Sequence, residues 1–312
     1  MIDTIALRSL VAVGRHGTVV AAADALGYTP SAVSQQLKKL ESQSGVQLLE
    51  RFGRGVMLTE SGRVLVESAG ELLARMEHIE AQLRAGSRQA SGTVRLAGFS
   101  TAVRGLLAPA LAGLRESAPG VELRMSEAEP SDAVDLVSTG QLDIAVVHNW
   151  EPVPLTLPDN VHTRVLGYDR ADVLVHRDHR LAGNTDVTGD ELTDESWVSV
   201  SSGSICHQWL IWMFHERGES PRIVHFAQEF GSHLALVAQG LVTALVPRLG
   251  RGPLPAEVRS LPLTDPIPIR RVTAVWRRTM TDSPAIGAVS DALAAVSGEV
   301  LAADPPRSAE QR

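Results

Sequence analysis

Apolar positions follow two different rules along this chain. In the first quarter they recur at three- and four-residue spacing, and from Thr93 onward short strand-like runs alternate with helical stretches. Thr4 to Gly14 reads as a first helix, with Ile5, Leu7, Leu10, Val11 and Val13 available for a small core. Val19 to Leu26 is Ala-rich, which lets two backbones approach closely, and Gly27 suits the position just past a helix end. Thr29 and Pro30 then supply an N-cap and a residue whose fixed φ fits the first helical position. Val33, Leu37 and Leu40 share one face, so Ser31, Ser34, Gln35 and Lys38 point elsewhere. A short helix, a corner and a second helix with a bare polar face fit a helix-turn-helix that reads DNA; an ordinary helical hairpin accommodates the same residues.

After Gly45, the segment VQLLERFGRGVMLT has two short apolar stretches flanking Arg51 and Arg54. It predicts a two-stranded wing with a basic tip, a placement suited to phosphate or minor-groove contact and equally to a solvated turn. Thr59 is an N-cap for a long helix from Gly62 to Arg84. Leu65, Ala69, Leu72, Met76, Ile79 and Leu83 follow at alternating four- and three-residue steps, a heptad-like seam expected to pair two copies. A second stripe, Val66 and Leu73, is available to rest on the N-terminal domain. AGSRQASG, residues 85–92, is a linker by composition.

The remainder is α/β. TVRLAGF, VELRMSE and LDIAVVH are strands separated by two helices, and βαβαβ order predicts a parallel sheet with right-handed crossovers. RVLGYDRADVLVHRD gives further strands, and strand-helix alternation resumes through ESWVSVSSGSICHQWLIWMFHERG, RIVHFAQEF and GSHLALVAQGLVTALVP. RRVTAVWRR is a late strand and PAIGAVSDALAAVSG a closing helix. Two lobes joined by crossing segments near 162–167 and 262–270 are expected. The divisions are then 1–59 for the winged helix-turn-helix, 60–90 for the linker and dimerisation helix, and 91–301 for the two-lobed domain. Lobe one takes about 91–162 and 268–301, lobe two about 163–267, and residues 302–312 form a disordered tail.

Composition alters this picture little. The 312 residues are 44% hydrophobic and 21% charged, with no apolar run long enough to span a membrane. MIDTIALRSL lacks the features of a secretory signal, so a cytoplasmic location is expected. Cys206 is the single cysteine, which excludes an internal disulfide and any multi-cysteine metal site. The net charge of −7 is unevenly spread: residues 1–58 hold six basic and four acidic residues, the remainder 23 and 32. A locally basic first domain permits phosphate contact while acidic bulk suppresses indiscriminate binding.

AAADALGYTPSAVSQQLKKLE, followed by GVQLLER and MLTESG, resembles the winged helix-turn-helix of LysR-type transcriptional regulators. The resemblance continues through the linker helix into GQLDIAVV, HRDHRLAG (where the family often has Pro in place of Arg180) and LVAQGLVTALVP, and so covers nearly the whole chain. It implies a DNA-binding homodimer or homotetramer whose effector domain is similar to periplasmic solute-binding proteins. Promoter DNA, a small-molecule effector and RNA polymerase are the partners it implies. Carried over, the helix-turn-helix is about 18–37 and the recognition helix starts at Thr29-Pro30. Ser31, Ser34, Gln35 and Lys38 become groove and backbone contacts, with Gln35 able to pair with adenine, and Arg51 and Arg54 become wing contacts.

Ligands of open α/β sheets bind beyond C-terminal strand ends. Here those ends carry Ser100, Thr101, Ser131 and His148 in lobe one, and Ser202, Gly203, Gln228 and Glu229 in lobe two. Matching family positions also line the inducer site. Each hydroxyl also works as a plain N-cap; two helix N-termini facing one cleft would suit a small organic anion. Trp150 and Trp197 are candidate aromatic walls, with core roles the simpler assignment. His176 and His179 lack a third ligand, so no metal and no other cofactor is expected. The family's peroxide-sensing branch uses a cysteine pair, which makes Cys206 a core or cleft thiol here. No nucleophile triad, P-loop or dinucleotide fingerprint supports an enzyme; the rival reading is a cytosolic solute-binding or enzymatic α/β domain with incidental N-terminal helices.

Overall fold

The computed structural model describes residues 2–52, 55–85 and 90–305. The chain divides near residue 88 into two compact units. In the first, α1 (Thr4–His16) is capped by the Asp3 carboxylate, which accepts from Ile5 N at 2.9 Å. Thr18 and Thr29 cap α2 (Val19–Leu26) and α3 (Pro30–Ser44) in the same way. Each helix stops at a glycine with positive φ, Gly17, Gly27 and Gly45, a conformation that a side chain would strain. Leu7, Leu10, Val13, Ala22, Ala23, Val33, Leu37 and Leu40 form the core between the three helices. Ile5 was expected among them and is exposed instead, because the buried stripe of α1 runs through Ala6, Leu7 and Leu10.

The wing is β1 (Leu49–Phe52) paired antiparallel with β2 (Gly55–Leu58). α4 (Glu60–Ala85) follows, with Thr59 Oγ1 accepting from Gly62 N at 3.0 Å. Gly62 is there for space: a Cβ would overlap the carbonyl oxygen of Leu48, so only glycine lets α4 leave the wing at this angle. Ala69 is buried and Leu65 and Val66 pack beside it in the three-helix core. The expected six-residue seam therefore has two surroundings within one chain. Its first two members, Leu65 and Ala69, are used inside their own unit, whereas Leu72, Met76 and Ile79 are exposed apolar side chains. The side chain of Leu83 lies outside the described residues, as does Arg54.

In the second unit, β3 (Gly92–Gly98) leads into α5 (Ser100–Ala102), a π-turn (Val103–Leu107) and α6 (Ala108–Ser117). β4 (Val121–Glu127), α7 (Pro130–Ser138) and β5 (Ile144–Trp150) complete the βαβαβ order, with β3 parallel to both β4 and β5. β6 (Val161–His176) is one 16-residue strand. After β7 (Val187–Thr188) come β8 (Ser196–Ser199), α8 (Ile205–His215), β9 (Arg222–Phe226), α9 (Phe230–Ala238) and β10 (Ala244–Pro247). β11 (Val258–Asp265), β12 (Ile269–Arg277) and α10 (Pro284–Val300) close the chain.

β12 joins the sheet antiparallel to β5 and β6, making it mixed. β6 pairs with β12 as far as Arg170 and with β10 and β11 from Ala171 onward. The first crossing between lobes therefore falls at residues 170–171, not near 162–167, because one uninterrupted strand serves both lobes. The second crossing, between Asp265 and Ile269, lies within the expected stretch. Along β6, Ala171, Val173 and Val175 face the α8 side and Leu174 the α9 side, the period-two alternation of a strand covered on both faces. Ala302 is also not free tail: it exchanges backbone hydrogen bonds with Tyr168 at 2.8 and 3.0 Å, and residues 306–312 lie outside the described residues.

On the buried side of β6, Asp172 accepts from Arg248 at 2.6 and 2.9 Å, from Arg251 at 2.9 Å and from Ser260 at 3.0 Å. Burial opposes the carboxylate charge, but these donors outweigh it and hold the pKa below its ordinary value. The stability this lends is fully present above the ordinary carboxylate value of about 4 and is lost as pH falls through the depressed value. Asp172→Asn should therefore cost about 3 kcal/mol at neutral pH. Urea unfolding at neutral pH and below about pH 4 checks it, the gap between variant and parent narrowing on the acid side.

Candidate DNA interface and effector pocket

On α3, Val33, Leu37 and Leu40 face inward, and two polar side chains tie the helix to its neighbours. Gln36 Oε1 accepts from the buried Ser9 hydroxyl, and Lys39 Nζ lies 2.6 Å from Asp3. Ser31, Gln35 and Lys38 are exposed at steps of four and three along one stripe, with Ser34 half-buried beside them. Thr29 and Pro30 are exposed at the start of this helix, and Thr29 Oγ1 accepts from Ala32 N at 3.2 Å. Lys39, itself exposed, makes a surface ion pair with Asp3, and the neighbouring Lys38 is exposed as well. Arg51 is exposed on β1. The protruding helix face therefore offers hydroxyl, amide and ammonium groups together, the set that contacts base edges and phosphates.

The junction of the two lobes is built around a residue that sequence reasoning missed. Arg270, near the start of β12, is 1% exposed. Its Nε and Nη2 donate to Asp169 Oδ2 at 2.9 and 2.8 Å, and Nη2 also donates to Thr101 Oγ1 at 2.7 Å. Asp169 Oδ1 in turn accepts from Leu249 N at 3.0 Å. The guanidinium lies 4.8 Å from the Phe99 ring centre and 5.9 Å from that of Trp150. His148 stacks edge-on to Phe99 at 4.5 Å; burial first, and the Arg270 charge second, push its pKa well down, so its imidazole is neutral. The signal was present in IRRVTAVW, where alternation sets Arg270 on the same inward face as Val272, Ala274 and Trp276.

The expected effector residues fall into two groups around this junction. Thr101 and His148 are buried beside Arg270, with Ser100 half-buried at the start of α5. Ser131, Ser202, Gly203, Gln228 and Glu229 are exposed at element starts. Gln228 Nε2 donates to Ser201 Oγ, and Glu229 lies 3.3 Å from Arg104. None of the eight lines the pocket that does open here. That pocket, a cleft of about 20 Å³ partly open to solvent, is walled by Trp150, Val198, Ser199, Val200, Cys206, Leu210, Phe230, His233, Leu245 and Pro247. Trp150 and Cys206 are the cleft candidates of the sequence that it takes in, and His233 lines it as well. Burial raises the Cys206 pKa, against the Arg270 charge and the neighbouring Trp150 N–H, so it stays a thiol. Trp197, by contrast, is core, packed on Phe214 at 5.8 Å. His179 Nε2 pairs with Glu195 at 2.9 Å, and among the described residues no group of three metal-ligating side chains converges.

Residues 5–63 match the family model of bacterial regulatory helix-turn-helix proteins, lysR family, and residues 87–298 match that of the LysR substrate binding domain. The chain belongs to the LysR family. It is 28% identical over 308 residues to a probable HTH-type transcriptional regulator, LrrA, of Synechococcus elongatus, spanning 95% of this chain and 98% of that protein. It is 31% identical over 222 residues to the RuBisCO operon transcriptional regulator of Allochromatium vinosum, 69% and 70% of the two chains. Among solved structures, a single-residue variant of full-length OxyR from Pseudomonas aeruginosa superposes with a TM-score of 0.70 at 22% identity, covering 98% and 99%. LysR-type proteins are transcriptional regulators, and this one pairs a DNA-binding helix-turn-helix with an effector-binding unit. No helix among the described residues is long and apolar enough to cross a membrane.

In the effector-binding unit of this LysR-type protein, two glycines make the lobe junction. A Cβ on Gly105 would come within 2.7 Å of Gly250 N, and Gly250 sits at φ +65° with its missing Cβ against Thr101 O. Arg104 Nε donates to Gly250 O at 3.0 Å across the same contact. Gly250→Ala therefore adds both strain and a clash, and should lower stability by more than about 1 kcal/mol, read as a reduced urea midpoint at unchanged slope.

Proposed function

We propose that the protein binds promoter DNA sequence-specifically through α3, as a two-fold dimer or a tetramer of such dimers, under control of a small molecule held in the second unit. The observation that carries the reading is the exposed stripe of Ser31, Gln35 and Lys38 on α3, opposite the buried Val33, Leu37 and Leu40. Gln35 would make the adenine-type bidentate contact, while Ser31, Ser34, Lys38 and the wing's Arg51 and Arg54 would engage phosphates and less discriminating base edges. Exposed Leu72, Met76 and Ile79 on α4 support self-association, since a second copy would remove their apolar surface from water. A two-fold assembly implies paired half-sites about one helical turn or a multiple apart. An effector changes DNA binding only by its difference in affinity between DNA-competent and incompetent states. The reading gives the chain a cytoplasmic role with no catalytic step.

Sequencing of genomic DNA fragments retained by the purified protein tests this. The expected result is enrichment of a two-fold symmetric motif, and no enriched motif would refute it. Gln35→Ala should weaken the preferred site by about 1–3 kcal/mol. Lys38→Ala should weaken all sequences alike and reduce the salt slope by about one.

A further inference from the structure

A second set of arginines gathers on the face of β6 opposite Arg270. Side chains two apart on a strand share a face, so Arg170 stands on the side of Asp172 and away from Asp169. Arg248 reaches this face from the end of β10, where its backbone N–H donates to the Arg170 carbonyl at 2.8 Å. Arg251 reaches it from the loop that follows. The charges here do not balance. Asp172 is taken by Arg248 and Arg251 together, with the Ser260 hydroxyl as a further donor. Across the sheet, Asp169 is taken by Arg270 and the Leu249 N–H. Four guanidiniums thus share two carboxylates, a surplus of two positive charges.

That surplus falls on Arg170. Its hydrogen bond runs from Nη2 to the Leu263 carbonyl at 2.7 Å, and among the described residues no carboxylate lies within ion-pair reach of it. Its Nε–H is enclosed without an acceptor, so Nη1 and the second hydrogen of Nη2 are what it can still offer. Burial first, and the Arg248 charge second, lower its pKa against the pull of Asp172, as expected of a cation set beside another cation without a counter-ion of its own. Like charges on neighbouring strands destabilise a sheet, and an anion between them reverses the sign of that interaction. Access is narrow: Arg248 is 47% exposed and Arg251 only 15%, with Arg170 half-buried. The backbone of a duplex would meet Arg248 alone, whereas a small ion can reach all three.

We propose that Arg170, Arg248 and Arg251 form a binding site for a tetrahedral dianion, either inorganic phosphate or the phosphoryl group of a small metabolite. A double negative charge matches the surplus. The donors come from two strands and a loop, and a tetrahedral ion with several oxygens can accept from all of them, where the two oxygens of a planar carboxylate serve one fork at a time. Seated there, the ion ties β6 to β10 next to the lobe crossing. The site lies on the other face of β6 from the cleft beside Trp150, so it does not depend on what that cleft holds.

Isothermal titration of the full-length protein with inorganic phosphate, glycerol 3-phosphate and acetate tests it, at constant ionic strength and about pH 8, where a phosphate monoester is doubly charged. At least one of the two phosphates should bind saturably, and about tenfold or more tightly than acetate. Whichever phosphate binds tighter names the source of the ion. Arg170→Gln should weaken that binding about tenfold. Lys38→Ala, in the DNA-binding unit, should leave it unchanged. No saturable binding of either phosphate, acetate as tight as phosphate, full affinity in Arg170→Gln, or loss in Lys38→Ala would each overturn the proposal. If Arg170→Gln does not fold, phenylglyoxal modification of the unaltered protein decides, read by peptide mass mapping. Phosphate should slow modification of Arg248 severalfold relative to Arg51, and equal slowing of the two would overturn the site. A preparation that enriches a DNA motif but ignores phosphate keeps the regulatory reading and loses this one.

Discussion

Burying a guanidinium costs several kcal/mol unless its charge and its N–H groups are matched, and the effector-binding unit is arranged around one such match. Arg270 and Asp169 stand next to each other across β12 and β6, in the last register pair but one before the strands pass from one lobe to the other. Their ion pair holds Thr101 at the head of α5 on one side and the Leu249 backbone on the other. The loop that follows Leu249 then brings Gly250 against Gly105, a close backbone approach between the lobes. Strand crossing, helix start and loop position therefore depend on one pair. Because the pair is closed on itself, it leaves the adjoining pocket lined without a formal charge.

Much of the architecture was legible because local chemistry and periodicity agreed. Thr18, Thr29 and Thr59 cap helices through their side chains, and Gly17, Gly27 and Gly45 end them. Such signals act within a few residues and survive in the sequence alone. The alternating strands and helices beyond Thr93 were readable for the same reason.

What escaped was decided by contacts far apart in the chain. Asp169 and Arg270 are separated by 101 positions, and neither announces its partner. The seam of α4 has one periodicity but two surroundings, so spacing could not tell that Leu65 and Ala69 pack at home while Leu72, Met76 and Ile79 do not. Likewise, β6 has no break where it changes partners, and a crossing inside a continuous strand leaves no local mark. The pocket residues come from β5, β8, α8, α9 and β10, and the strand-end hydroxyls are not among its lining.

The self-neutralised pair is the claim on which the rest turns, and a double-mutant cycle measures it directly. Arg270→Met, Asp169→Leu and the double variant would be compared by urea unfolding. The account predicts that each single change costs about 3–5 kcal/mol, since it strands a buried charge, and that the double change costs far less than their sum. Additive losses would contradict it, for they would mean that the two side chains do not satisfy each other and that Arg270 is available to bind an anion.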